Sequence, residues 1–222
     1  MIEAVVFDLD GVLVDSEQAW DAVRRKLVEE EGGRWSDDAT GAMQGMSSTE
    51  WSRYMHSELE LDLEPEAISA RVVERLADRY RDDLPLLPGA TDAIRRMAAR
   101  WPLGLASSSN REVIDLVLDL AEISGCFAAT VSSDEVERGK PSPDVYLEAA
   151  AHLETAPERC AAIEDSSNGL RSAAAAGMAV VAVPNRDYPP ADDALGLAEV
   201  TLESLDELTV ERVEGLGGQA AV

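Results

Sequence analysis

The stretch from Glu3 to Ser16 constrains this chain more than any other. Ala4 to Phe7 is a run of apolar and β-branched residues, which predicts a buried strand. Two aspartates, Asp8 and Asp10, follow it almost directly. Because ionised carboxylates cannot lie unneutralised inside a strand, we expect them at its carboxyl end, at the mouth of an open α/β sheet. Both point to one side of an extended segment, where a divalent cation or a shared proton would relieve their repulsion.

The remainder of the chain predicts an α/β fold interrupted by a helical insertion. Residues 16–84 carry apolar residues at helical spacing and no strand signal, and from Gly89 onward short apolar strands alternate with helices. The later predicted strands are Leu103–Ala106, Ala128–Val131, Cys160–Ile163 and Ala179–Val183. Such alternation implies parallel pairing with right-handed crossovers. We therefore expect a Rossmann-like, doubly wound parallel sheet in a core of residues 1–15 and 85–222, and a helical-bundle domain at residues 16–84.

The charge of the chain excludes several classes of partner. Its 222 residues include 44 acidic and 19 basic side chains, for a net charge of -25. This balance argues against binding nucleic acid or an anionic membrane surface. No signal peptide is visible and no apolar stretch approaches the ~18 residues needed to cross a membrane, so we expect a cytoplasmic protein, either a monomer or a weak dimer. Cys126 and Cys160 fit no metal or disulfide spacing and are expected to be buried thiols.

Polar groups follow two further predicted strands. The strand Leu103–Ala106 leads into Ser107-Ser108-Ser109-Asn110, whose hydroxyl and amide groups suit an anionic oxygen, although serine runs are also common helix caps. The strand Cys160–Ile163 leads into Glu164-Asp165, whose hard oxygen ligands suit Mg²⁺, although acidic residues also favour helix N-termini. Taken together, these groups indicate one site at the edge of the sheet.

A lysine lies in the loop between these two strands. Lys140 is flanked by Gly139 and Pro141, and Pro141 restricts the backbone of the lysine. In a chain this acidic, a lysine held in this way is a candidate counter-charge for a phosphoryl group; the alternative is an exposed loop lysine. Three strands ending in acid, hydroxyl and acid, with a lysine between the last two, are an improbable arrangement by chance.

These motifs, in this order, resemble those of a known family. The four are Phe7-Asp8-Leu9-Asp10-Gly11-Val12, Ala106-Ser107-Ser108-Ser109-Asn110, Gly139-Lys140-Pro141 and Glu164-Asp165-Ser166. The chain resembles the haloacid dehalogenase-like hydrolase superfamily, in the branch with a helical cap after the first strand that is similar to β-phosphoglucomutase and phosphoglycolate phosphatase. The resemblance covers residues 2 to about 208; each motif alone is weak, whereas the ordered set is highly specific.

The resemblance implies phosphoryl transfer through an aspartyl phosphate. Asp8 would be the nucleophile, and Asp10 would protonate the leaving oxygen and then activate water. Mg²⁺ would be bound by Asp8, by the main-chain carbonyl of Asp10 and by Asp165, with Glu164 acting directly or through water.

The same resemblance assigns the groups that hold the substrate. Ser107, the amide of Ser108 and Lys140 would bind the phosphoryl oxygens, and Asn110 would reach the substrate. Lys140 would also pair with Asp8. Asn168 is a candidate supporting residue, with a role at the helix start as the alternative.

The helical cap offers evidence on the type of reaction. Residues 44–47, around Gly45, match the cap loop that faces the site in the similar proteins. In β-phosphoglucomutases this loop carries an arginine and the first cap helix carries a histidine, whereas this chain has Ser48 and Trp20 at the corresponding positions. Both departures argue against a mutase, which must hold a second phosphate.

The resulting prediction is a Mg²⁺-dependent phosphatase of a small phosphorylated metabolite, such as a sugar phosphate. Asp10 favours phosphate esters over dehalogenation, because an alkoxide leaving group needs an acid. The near alternative is a phosphomutase. Three hypotheses from different classes also stay open: a receiver-like signalling module, which would carry its phosphorylated aspartate on a later strand, a calcium-binding module, for whose loop Gly11 comes too early, and a non-catalytic binding descendant. His56 and His152 match no motif and are expected to be packing or surface residues.

Overall fold

The centre of the protein is a six-stranded parallel sheet. The computed structural model describes residues 1–43, 45–185 and 188–217. Its strands are β1 Ala4–Phe7, β2 Leu103–Ser107, β3 Phe127–Ser132, β4 Cys160–Glu164, β5 Ala179–Ala182 and β6 Val200–Thr201. They lie in the order β3-β2-β1-β4-β5-β6, and every pair of neighbours is parallel. This is the doubly wound order of a Rossmann-like core, so the predicted fold class is confirmed.

Helices cover both faces of this sheet, as a sheet of parallel strands requires. In the part of the chain that the structure describes, the helices are α1 Glu17–Glu30, α2 Ala39–Met43, α3 Ser48–Ser57, α4 Pro65–Asp82, α5 Ala90–Ala98, α6 Arg111–Leu120, α7 Asp144–His152, α8 Ser167–Ala175, α9 Asp192–Leu195 and α10 Val210–Glu214. Val5 and Phe7 of β1 pack into one apolar cluster with α5 and α6. Ala4 and Val6 pack into the other, with α7 and α8. The strand is therefore buried on both faces, which explains its unbroken apolar sequence.

Helices α1 to α4 follow β1 and precede the rest of the core, where the sequence predicts an insertion. Ser47 and Glu50 form a capping box at the start of α3, and Pro65 occupies the first turn of α4. One face of α4 is buried, and α1 and α3 both pack against this helix. The predicted helical character of residues 16–84 is confirmed, while their division from the core as a separate domain stays a prediction.

The strand order places β1 beside β4 at the point where the chain changes direction across the sheet. From β1 the chain runs outward through β2 and β3, and it then crosses to β4 on the other side. Phe7 pairs in register with Ile163, and the amide of Asp8 donates to the Ile163 carbonyl at 3.0 Å. The residues that end these two strands therefore lie side by side at a topological switch point, where open α/β sheets bind ligands.

Three smaller features complete the comparison of the structure with the sequence. Strand β6 was not predicted, because it has two residues and carries no apolar run. Both cysteines are free thiols; Cys160 is buried as expected, but Cys126 is only half-buried. None of the helices among the described residues is long and apolar enough to cross a membrane.

Candidate active site

Three carboxylates and one ammonium group meet at the ends of β1 and β4. Asp8, Glu164 and Asp165 are buried, and one carboxylate oxygen of each lies within 4.8 Å of the others. The Lys140 Nζ donates to Asp8 Oδ1 at 2.8 Å and to Glu164 Oε1 at 2.6 Å. The sequence-predicted convergence of these four residues is therefore present. One ammonium group cannot neutralise three buried carboxylates, so full ionisation of all three would leave the cluster with excess negative charge.

This imbalance shows in the pKa values of the cluster. Burial, together with the Glu164 carboxylate, raises the pKa of Asp8 to about 8, although Lys140 opposes the rise. Burial and the same glutamate also raise the pKa of Asp165 well above its usual value. Burial alone would lower the pKa of Lys140, but the Asp8 and Glu164 carboxylates outweigh it and raise this pKa. The lysine is therefore held in its charged form, and further positive charge beside the two aspartates would oppose the rise in their pKa values.

The donor set fits a divalent cation. Asp165 Oδ1 is buried and has no hydrogen-bond partner among the residues described. Gly11, with φ of +77°, leaves room for the Asp165 side chain, because a Cβ at this position would lie 1.9 Å from Asp165 Oδ2. A buried carboxylate oxygen without a donor, beside a second carboxylate, has the chemistry of a site for a hard cation such as Mg²⁺.

Glu164 is already saturated with hydrogen bonds. Its Oε1 accepts from Lys140 and from the Tyr146 hydroxyl at 2.9 Å. Its Oε2 accepts from the amides of Asp165 at 2.9 Å and Ser166 at 3.2 Å, and also from the Ser166 hydroxyl. These contacts make Glu164 the anchor that fixes Lys140 beside Asp8, and they leave it less available as a direct metal ligand.

The Asp10 carboxylate lies apart from the metal-type cluster and is held by three donors. Its Oδ2 accepts from the hydroxyls of Ser109 at 2.7 Å and Ser107 at 3.4 Å, and its Oδ1 accepts from the Trp20 indole at 3.1 Å. Trp20 belongs to α1, so one inserted helix contacts this carboxylate directly. The predicted acid-base residue is thus oriented by the serine loop on one side and by α1 on the other.

The residues of the serine loop have different surroundings. Ser107 is buried, and its hydroxyl accepts from the Ser109 amide at 3.0 Å. The Ser108 hydroxyl donates to the Gly45 carbonyl at 3.3 Å, which joins this loop to the inserted helices. Asn110 lies outside the central cavity: its Nδ2 donates to Ser69 at 3.4 Å, and it lines a neighbouring groove between α3, α4 and α6. Its substrate-binding role stays a prediction.

A cavity joins the sheet edge to the inserted helices. Its volume is about 50 Å³. The residues from the core that line it are Asp8, Asp10, Ser108, Ser109, Lys140, Asp165 and Ser166, and those from the inserted segment are Glu17, Trp20, Arg24, Met43, Gly45, Met46 and Trp51. Pockets that enclose drug-sized ligands usually measure ~300–1,000 Å³, so the inserted helices cover the site closely.

Sequence reasoning missed several of these residues. Arg24 lines the cavity, yet it stands in no motif, and its charge is one of several along α1. Ser109 was one of three consecutive serines, and only the turn geometry shows that it bonds Asp10. His56 and His152 lie away from the cavity: His56 contacts two main-chain carbonyls, and His152 pairs with Glu148 at 3.1 Å. Gln44, in the predicted cap loop, lies outside the described residues.

Comparison with known proteins decides the family. A family model described as haloacid dehalogenase-like hydrolase matches residues 2–177. The chain belongs to the haloacid dehalogenase-like hydrolases. The resemblance predicted from the four motifs is confirmed, and so is the prediction of a hydrolase.

Curated relatives of this haloacid dehalogenase-like hydrolase include proteins that are named as phosphatases. Hexitol phosphatase B from Escherichia coli (strain K12) is 33% identical over 220 residues, which cover 96% of this chain and 97% of that protein. A bifunctional riboflavin kinase/FMN phosphatase from Arabidopsis thaliana is 33% identical over 207 residues, which cover 90% of this chain. The match spans only about half, 54%, of the Arabidopsis protein.

Solved structures show the same architecture. CbbY from Rhodobacter sphaeroides, crystallised in complex with phosphate, superposes with a TM-score of 0.85 at 26% identity, covering 96% of this chain and 100% of CbbY. A β-phosphoglucomutase from Clostridium difficile superposes with a TM-score of 0.81 at 25% identity, covering 96% of each chain. The shared fold of this haloacid dehalogenase-like hydrolase therefore does not by itself separate a phosphatase from a phosphomutase.

Proposed function

We propose that this haloacid dehalogenase-like hydrolase is a Mg²⁺-dependent phosphatase that cleaves a small phosphomonoester through an aspartyl-phosphate intermediate. The observation that carries the proposal is the buried pairing of Lys140 with Asp8 at 2.8 Å, next to an Asp165 oxygen that has no hydrogen-bond partner among the described residues. A nucleophilic carboxylate, a fixed ammonium and a donor set that suits a cation are the parts that phosphoryl transfer to an aspartate needs. The names of the curated relatives favour a sugar or sugar-alcohol phosphate as substrate.

The reaction divides between two aspartates. An Asp8 oxygen forms a bond to phosphorus as the bond from phosphorus to the leaving oxygen breaks, and the leaving oxygen takes a proton from Asp10. Water then attacks phosphorus and gives its proton to Asp10, which frees inorganic phosphate and restores the Asp8 carboxylate. The hydrogen bonds to Asp10 from Ser109 and Trp20 orient the carboxyl group for both transfers.

Other residues hold the phosphoryl group and the cation. Lys140 pairs with Asp8 and in that position attracts the phosphoryl oxygens. Ser108, whose amide would also bind these oxygens, lines the same cavity. Asp8 and Asp165, with the main-chain carbonyl of Asp10, would hold Mg²⁺, which when bound supplies positive charge against the carboxylates and the phosphoryl oxygens. Glu164 acts through Lys140 and the neighbouring amides, in keeping with its five hydrogen bonds.

The inserted segment, residues 16–84, acts in this proposal as a cap. It closes the cavity to about 50 Å³, so it must move away for a substrate to enter. At the position where a mutase carries the cap-loop arginine, Ser48 is buried and bonds Asp134, so the second phosphate of a mutase has no cation there. This contact supports hydrolysis rather than transfer within a bisphosphate.

An Asp8→Asn variant tests the proposal. It should lower the release of phosphate from an aryl phosphate in saturating Mg²⁺ by at least about 1,000-fold, because the covalent step loses its nucleophile. Asp15→Asn, an identical change close in sequence but outside the cavity, is the control and should keep wild-type turnover. Unchanged turnover in Asp8→Asn would reject the nucleophile, and equal turnover of the wild type with and without a chelator would reject the cation.

A further inference from the structure

The cavity is lined by a cationic side chain, Arg24, that the proposed reaction does not use. Arg24, on α1, is only 7% exposed, and its guanidinium carbon lies 4.7 Å from the ring centroid of Trp20 and 4.8 Å from that of Trp51. Its Nε is buried without an acceptor, and no carboxylate of the described residues forms an ion pair with it. Burial lowers the pKa of Arg24 to about 10, so the group remains charged at neutral pH.

A buried charge without a hydrogen-bonding partner is costly, and the surroundings offset this cost only in part. The two indole rings provide cation–π attraction, and the carboxylates of Glu17 and Asp10 act on the guanidinium from a distance. None of these contacts satisfies the N–H groups of Arg24, whose donors have a fixed planar geometry. Because Arg24 lines the same cavity as Asp8 and Lys140, a bound substrate is the group placed to satisfy them.

The charge of the cavity indicates which chemistry such a substrate has beyond its phosphate. Among the described residues, the three buried carboxylates of Asp8, Glu164 and Asp165 outnumber the two cationic side chains at the cavity, Lys140 and Arg24. Lys140 is already paired with two carboxylates, and the charges of Mg²⁺ and a phosphoryl dianion cancel each other. A second anionic group would enter a cavity that is still negative, whereas hydroxyl groups add no charge and can accept from the guanidinium.

We propose that Arg24, held between Trp20 and Trp51, is the specificity-determining residue that binds hydroxyl oxygens of an uncharged, polyhydroxylated leaving group. This inference rests on the proposed phosphatase function and deepens it, because it names the substrate class by its chemistry: phosphomonoesters of sugars or sugar alcohols, not bisphosphates or phosphorylated carboxylic acids. The indoles keep the guanidinium in place at the cap side of the cavity, opposite the phosphoryl-binding residues of the core.

An Arg24→Met variant tests this role against a matched control. For sorbitol 6-phosphate or another hexitol or hexose phosphate that the wild type hydrolyses, kcat/KM should fall about 10- to 100-fold, the loss typical of a hydrogen bond to a charged group. 4-Nitrophenyl phosphate has no hydroxyl group on its leaving group for Arg24 to bind, so for this substrate the fall in kcat/KM should stay below about threefold. Activity at that level also shows that the variant is folded. Arg25→Met, the same change at an exposed position of α1, should match the wild type on both substrates.

Three results would overturn the inference. The first is an equal loss on both substrates in a folded Arg24→Met or Arg24→Lys protein, which would make the role structural. The second is a greater loss on 3-phosphoglycerate than on the polyol phosphate, which would identify a subsite for a second anion. The third is a wild type that hydrolyses aryl phosphates but no sugar or sugar-alcohol phosphate. Failure of the wild type to hydrolyse any phosphomonoester in Mg²⁺ would instead reject the proposed phosphatase function.

Discussion

Lys140 bonds two carboxylates in the interior, and this arrangement has a consequence for its neighbour Asp165. Both Lys140 contacts are at hydrogen-bonding distance and are shielded from water. Asp165 receives no bond from the lysine, and its Oδ1 has no partner in the described part of the chain. A side chain in this position depends on its steric surroundings to stay in place until a cation binds. Gly11 is the residue that leaves it the space.

Gly11→Ala should therefore reduce cation binding more than it reduces the stability of the fold. Both Gly11 and Gly32 have positive φ, so alanine at either position costs about 1–2 kcal/mol of backbone strain. At Gly11 the new methyl group would also lie 1.9 Å from Asp165 Oδ2 and would displace that carboxylate, whereas at Gly32 it meets no atom within 4 Å. Thermal unfolding with and without Mg²⁺ measures the difference between the two variants.

The expected outcome is that Gly32→Ala lowers the melting temperature but keeps the wild-type stabilisation by Mg²⁺, while Gly11→Ala loses most of that stabilisation. An undiminished Mg²⁺ effect in Gly11→Ala would show that Asp165 does not hold the cation.

Three of the site residues that the sequence predicts have positions that follow from the sheet alone. Asp8, Glu164 and Asp165 end buried strands, so parallel pairing brings them together whatever the loops do. Arg24 and Ser109 could not be predicted in the same way. The place of Arg24 depends on how α1 docks, and the bond from Ser109 to Asp10 depends on how one turn is wound.

At the scale of elements, the inserted helices contact the core at several separate points around the cavity. Trp20 of α1 donates to Asp10, Ser48 of α3 donates to Asp134, and the Gly45 carbonyl accepts from Ser108. These are polar contacts of modest strength, and separation of the helices from the core would expose their groups to water, which can replace each bond. Such an interface is suited to repeated opening.

A disulfide across this interface should inhibit the enzyme reversibly. Ser48 and Asp134 are in hydrogen-bonding contact and neither contacts the cavity, so cysteines at both positions should form a cross-link that keeps α3 against the core. Because the covered cavity is too small for a sugar phosphate to enter, oxidation should lower turnover by at least about tenfold, and a reductant should restore it. Each single cysteine variant serves as the control, and full turnover of the cross-linked enzyme would contradict the need for opening.

The element predictions succeeded where the local signals were strong. The helical character predicted for residues 16–84 is such a case, because the segment contains strong start signals: the capping box of Ser47 and Glu50 before α3, and Pro65 in the first turn of α4. Strand β6 has two residues whose pairing with β5 gives them their structure, so no local pattern could predict it. The packing of α1 over the sheet edge is likewise a tertiary result, since the same apolar stripe would suit several docking angles.

At the scale of the whole molecule, the net charge of -25 opposes the approach of an anionic substrate. Lys140 and Arg24 are both buried, so neither side chain projects a strong positive field into solvent. The surface therefore repels an anionic substrate at long range, although the cavity attracts the same substrate at short range. Dissolved salt screens only the first of these effects, because buried pairs are much less screened.

Raising the ionic strength from about 10 mM to about 150 mM shortens the screening length from ~30 Å to ~8 Å and should raise kcat/KM several-fold, with little change in kcat. Mg²⁺ is kept saturating throughout, and sodium chloride is compared with choline chloride to exclude a specific effect of the cation. A fall in kcat/KM with salt would show that the net charge does not govern encounter with the substrate.

The pairing of β1 with β4 also has a consequence for the synthesis of the protein. The proposed nucleophile, Asp8, is translated long before Ile163, which lies in the strand that aligns it through the Asp8–Ile163 bond. A ribosome-bound chain thus carries an ordinary solvated aspartate until β4 has emerged and joined the sheet. Chemical competence should arise in a single late event, when the two halves of the polypeptide meet.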